Sequence, residues 1–173
     1  MNRKPYALVL ALPVAAFAAC PALAASPDVA FYKNAAEGGI AEVEAGHLAQ
    51  NKGNSQQVKD FGAMMLKEHS ATNDKLQALA SAKTITLPAT SSVEQMTAKA
   101  RLNVLSGANF DKSYIKAQIS AHQDTIALLQ KEISSGQDPD AKAFAAAVLP
   151  TVRAHLKAAT AIASAMGVGV AAN

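Results

Sequence analysis

Tryptophan is absent from this 173-residue chain, only 5% of its residues are aromatic, and Cys20 is its single cysteine. With half of the residues apolar and alanine abundant, the scarcity of aromatics argues against a β-sandwich and for helices packed through small side chains. One cysteine cannot form a disulfide within the chain, nor supply the several thiolates of a cluster. Basic runs and aromatic stacking platforms are missing, which removes nucleic acid from the partners. No glycine-rich phosphate loop and no Gly-x-Ser-x-Gly nucleophile turn occurs. Alternating ten-residue strands of a membrane barrel are lacking too.

What is present begins with an export signal. Arg3 and Lys4 precede an almost wholly apolar stretch from Tyr6 to Ala19, and Ala22-Leu23-Ala24 places small residues before a cleavage point. The apolar stretch is shorter than the roughly 18 residues of a spanning helix, so no transmembrane segment is expected in the mature chain. Residues 1–24 are read as signal, 25–167 as the folded domain and 168–173 as a frayed tail, with a periplasmic location. The competing reading is a lipid anchor at Cys20, which follows Ala18-Ala19, on an outer-membrane lipoprotein. Loss of Arg3 and Lys4 with the signal lowers the formal net charge from +3 to +1, so the basic balance belongs largely to the leader.

Five helical segments follow. Ser26 or Asp28 is expected to cap the first helix, Pro27 suits its first turn, and Gly53 stops it after about Lys52. Its two competing stripes are Val29, Tyr32, Ala36, Ile40, Val43, His47 and Phe31, Ala35, Gly38, Glu42, Ala45, Ala49. The second is small enough to let a neighbouring backbone approach. Ser55 caps a second helix to about Ala82, with stripe Val58, Phe61, Met65, His69, Thr72, Leu76, Leu79. Thr84 to Pro88 is a connector, and Ser91 and Ser92 with Glu94 resemble the capped start of a short helix that runs to about Ser106 and ends at Gly107. From near Phe110 to Ser135, Ile115, Ile119, His122, Ile126, Leu129 and Ile133 line one face. The last helix, about Asp140 to Met166, carries Phe144, Val148, Val152, His155, Ala159, Ile162 and Met166, with Pro150 predicting a kink near Ala146. Four long helices, with a short extra helix in the crossover between pairs, predict an all-α antiparallel four-helix bundle.

Each long helix then offers one titratable group near its middle: Glu42, His69, His122 and His155. Counted from Gly53, the heights of Glu42 and His69 differ by roughly 7 Å at ~1.5 Å per residue, and His122 and His155 are offset similarly about Gly136. Three imidazoles and a carboxylate suit Fe, Zn or Cu, whereas Ca and Mg ask for more oxygen ligands. Di-iron bundles need Glu-x-x-His on two helices, and only Glu44-x-x-His47 matches. Glu68, at the edge of its stripe, reads either as solvated or as a partner to a ligand. The plainer alternative has each histidine satisfied by Glu42, Asp124, Tyr114 or a buried water. On that reading the protein is an envelope structural or stress-response module without a cofactor. Nothing in the sequence demands an enzyme.

Several runs together resemble the bacterial domain-of-unknown-function family 4142. They include Gly39-Ile40-Ala41-Glu42-Val43-Glu44, Val58-Lys59-Asp60-Phe61 leading to Glu68-His69, Leu105-Ser106-Gly107 with Phe110-Asp111 and Tyr114, His122, and Leu149-Pro150 with His155-Leu156. The resemblance implies an exported, ferritin-like helical protein without an assigned activity. It also implies an acidic residue ahead of the second-helix histidine, here Glu68, and acidic positions at Glu42 and Asp111. Asp111 is expected to cap its own helix.

Overall fold

The computed structural model describes residues 27–169. The expected signal and cleavage point, Cys20 and residues 170–173 lie outside the described residues. Within them the protein is all-helical: α1 (Pro27–Lys52), α2 (Gln56–Ala82), α3 (Val93–Asn103), α4 (Gly107–Ser135) and α5 (Pro139–Ala165). Among the described residues no helix is long and apolar enough to cross a membrane.

The long helices form two hairpins. α1 packs along α2, α4 along α5, and the hairpins meet through α1 against α4 and α2 against α5. The inward face of α1 runs between the two expected stripes, through Phe31, Tyr32, Ala36, Gly39, Glu42, Gly46 and Ala49. His47, on the first stripe, is exposed. A Cβ on Gly46 would stand 2.7 Å from the Gly62 carbonyl, and one on Gly62 would stand 2.6 Å from the Ala49 Cβ. The two helices therefore touch backbone to backbone, which no other residue type permits there.

That contact also sets the register. Gly39 lies against Asn73, and Gly46 lies against Gly62 and Leu66. Glu42, between the glycines, is consequently level with His69, between Leu66 and Asn73. The offset expected from counting at Gly53 does not occur, because the three-residue turn shifts the pivot beyond that glycine.

Local chemistry defines the ends. Ser55 accepts the Val58 amide, Ser92 and Gln95 complete a reciprocal capping box, and Asp138 accepts from Asp140. Gly107, with φ +57°, lies at the start of α4 instead of closing α3, which already ends at Asn103. Asp111 does not cap α4 as expected. Its carboxylate accepts the backbone N–H groups of Asn54 and Ser55, 2.8 Å each, and so holds the α1–α2 turn. Asp28 at the head of α1 does the same for the α4–α5 turn, accepting from Gln137 and Asp138. α5 runs unbroken through Pro150, and both Pro150 and Ala146 are exposed, so water can take the carbonyl that the proline leaves free. Val168, expected in a frayed tail, is buried: Gly167 turns with φ +64° and the Val168 amide donates to Ala163 at 2.9 Å.

Two apolar clusters fill the interior. One gathers Phe61, Met65, Tyr114, Ile115, Ile119 and Ile162, the other Phe31, Tyr32, Leu76, Leu129, Phe144 and Val152. On α2, α4 and α5 the histidine sits between the residues that feed one cluster and those that feed the other. The core is thus interrupted at mid-height by a polar layer.

Candidate metal centre

His69, His122 and His155 each occupy a core slot at the helical spacing that the apolar neighbours set, and all three are buried. Their ring centroids are 5.7 Å (His69–His122), 5.3 Å (His69–His155) and 5.4 Å (His122–His155) apart. One ligand-capable nitrogen from each lies within 4.8 Å of the other two.

The far sides of two rings are engaged. His122 Nδ1 is 2.8 Å from the Gln118 carbonyl one turn back; a carbonyl only accepts, so Nδ1 carries the proton and Nε2 keeps its lone pair. His155 Nε2 is 2.8 Å from Glu68 Oε2, and the carboxylate there orients the ring through that nitrogen and leaves Nδ1 for a second partner. Among the described residues, His122 Nε2, His155 Nδ1 and His69 Nε2 have no hydrogen-bond partner although buried. Imidazoles held through the other nitrogen by a carbonyl or a carboxylate are the usual arrangement of metal-binding histidines.

Glu42 is brought to the same layer but not into the triad. Its Oε1 stands 3.9 Å from His122 Nδ1, the nitrogen that already faces a carbonyl, and its Oε2 accepts from Gln118 Nε2 at 2.8 Å. Asp124, offered by the plainer reading as a histidine partner, is exposed and lines a pocket outside the triad. Reading the stripes alone passes over Gln118, one turn before His122 on the inward side. It also leaves Glu68 undecided; the Glu68-His69 dipeptide signals an acid beside the layer, but its partner turns out to be the histidine of α5.

Burial controls the charges. Desolvation lowers His69 to a pKa of about 3, with further repulsion from His122 and His155. It lowers His122 to about 4, against the opposing pull of the Gln118 carbonyl. Desolvation raises Glu42 to about 7, the Gln118 amide opposing it. Tyr114, buried near Glu42, is pushed up by the same loss of water and by the carboxylate. At neutral pH His69 and His122 are therefore unprotonated, the form that binds metals.

Residues 12–162 match the family model described as "Domain of unknown function (DUF4142)". The chain belongs to this family. Similar solved structures come from the DUF305 family. A protein from Streptomyces coelicolor has a TM-score of 0.71 at 12% identity, covering 86% of this chain and 98% of its own. A fragment from Deinococcus radiodurans has a TM-score of 0.69 at 12% identity, covering 81% and 95%. At that identity the likeness is one of helical fold. No curated protein is significantly similar to the chain.

Proposed function

We propose that this DUF4142 protein is a ferritin-like antiparallel four-helix bundle of the periplasm that binds one transition-metal ion through His69, His122 and His155, with Glu42 beside the centre. The observation that carries the reading is the convergence of three buried imidazoles, each with one unpartnered nitrogen. Leaving three such nitrogens dry costs roughly 1–3 kcal/mol apiece, and a single cation answers all of them at once. Neutral nitrogen donors point to Zn, Cu or Fe. For zinc at about 2.0–2.1 Å the tetrahedral donor separation is about 3.3 Å, so the rings close inward on binding. An exported location follows from the leader-like residues 1–24, and the Streptomyces relative is described as secreted.

The second reading, an envelope module in which the histidines only pack, draws on the His155–Glu68 bond, which engages one nitrogen of that imidazole without any ion. Metal analysis of tag-free protein and calorimetric titration with Zn(II) and Cu(II) separate the two. We expect about one ion per chain, lost in His122→Ala, and an affinity weakened about tenfold in Glu68→Gln because the carboxylate behind His155 loses its charge. Less than about a tenth of an equivalent, with His→Ala variants as stable as wild type, would sink the metal reading.

A further inference from the structure

Beside the histidine layer the interior is not closed. An outer pocket of about 290 Å³ lies between α1 and α4 under α3, with Gly38, Glu42, Gln118 and Thr125 in its walls and Gln95 and Lys99 in its roof. An inner cavity of about 50 Å³ lies deeper, walled by His69, Glu42, Leu76, Leu129, Phe144 and Val152. Asn34, Gly38, Glu42, Thr125 and Leu128 line both, so the two spaces adjoin at a neck formed by these residues of α1 and α4. The gap has a sequence cause. Gly38, Ala41 and Ala45 on α1 face Ala117 and Ala121 on α4, and α3 bridges the seam where Lys99 pairs with Glu44 at 2.9 Å.

A Cβ on Gly38 would meet only the Gln95 Nε2 at 3.9 Å. This glycine thus borders open space, unlike Gly46 and Gly62, whose missing side chains are filled by backbone.

We propose that this passage is a small-ligand site: it leads a di- or triatomic molecule from solvent, past Gly38 and Glu42, to an open coordination position on the His69 side of the metal. The inference rests on the three-histidine metal reading. Three protein ligands leave a fourth position, as in metal centres that take exogenous ligands, whereas closed structural sites use four. The inner cavity flanks one of those three ligands and has room for roughly two or three waters or one linear triatomic. Its mostly apolar wall, from Leu76, Leu129, Phe144 and Val152, favours a small, weakly hydrated ligand over a polar organic molecule.

Azide binding to the Co(II)-loaded protein tests the passage through the visible bands of the metal. Gly38→Leu places a side chain in the neck, touches no ligand and improves the helix; Gly38→Ala fits the space and serves as control. Co(II) stoichiometry and thermal melting are measured for each form. The site predicts saturable azide-dependent band shifts in wild type and Gly38→Ala. In Gly38→Leu, with one Co(II) still bound, azide association falls by about tenfold or more. If all forms bind one Co(II) but azide leaves the bands unchanged, or enters Gly38→Leu as fast as wild type, the passage is overturned and the metal reading stands. If Co(II) does not bind at all, the metal reading itself fails and takes the passage with it.

Discussion

A buried imidazole without a cation is held neutral by its surroundings, and that makes the acid stability of the protein readable from three residues. Unfolded, His69 and His122 take up protons near pH 6.5; folded, they resist until about 3 and about 4. Between those values the unfolded chain holds more protons, so stability rises with pH and is lost as pH falls from 6.5 toward 3. Glu42 acts the other way: folded it stays protonated to about 7, unfolded it ionises at 4.5, so its contribution declines as pH rises across that window. Two imidazoles outweigh one carboxyl until both have released their protons in the unfolded chain. The contribution of this layer should therefore peak near pH 6.5, as urea denaturation of metal-free protein would show. His69→Leu should flatten the acid limb; an unchanged limb would refute the assignment. At this scale the sequence was informative about identity, since His69, His122 and His155 each interrupt an apolar stripe. Gln118 was not visible, because a lone glutamine has no pattern of its own.

Helix ends show where local rules were broken. α2 closes with Lys83 and then Thr84 at φ +58°, while the Ile85 amide donates back to Ala80 at 2.9 Å. That left-handed position normally falls to glycine, and a β-branched residue there is strained by about 1–2 kcal/mol. Thr84→Gly should raise stability by about 1 kcal/mol, the relief being partly offset by the extra freedom of glycine in the unfolded chain. Differential scanning calorimetry would detect it, and a lower melting temperature would count against the strain. The same turn in α5 carries Gly167 at φ +64° and needs no such correction. α1 was the element least legible in sequence. Beyond Phe31 and Tyr32 its packed face is built around Glu42 from Ala36, Gly39, Gly46 and Ala49, which carry almost no hydrophobic signal, and only the partner helix shows that close approach is the purpose of the glycines.

For the molecule as a whole, the two hairpins are braced reciprocally. Asp111 of α4 accepts two backbone N–H groups of the α1–α2 turn, and Asp28 of α1 accepts those of the α4–α5 turn. Each carboxylate satisfies amides that the turn cannot pair internally, across more than fifty residues of sequence. Tyr32 and Lys83 reinforce the second end through Asp138, at 2.9 Å each. Asp111→Ala should cost about 3 kcal/mol in urea denaturation, the worth of charge-assisted bonds to partly buried donors, and Asp111→Asn distinctly less. A loss below about 0.5 kcal/mol for Asp111→Ala, the scatter of ordinary surface substitutions, would show that the brace is dispensable.

The helices, the Ser55 cap and the three interrupting histidines follow from periodicity and end chemistry, which act over a few residues and are written into the chain. Whether those histidines share one level could not be read there, because height depends on the turn pivot and on how closely Gly46 and Gly62 let two backbones meet. The roles of Glu68, Asp111 and Asp28, and the open seam beside Gly38, likewise arise between segments distant in sequence. Contacts of that kind are decided by packing, and packing exists only once the tertiary structure has formed.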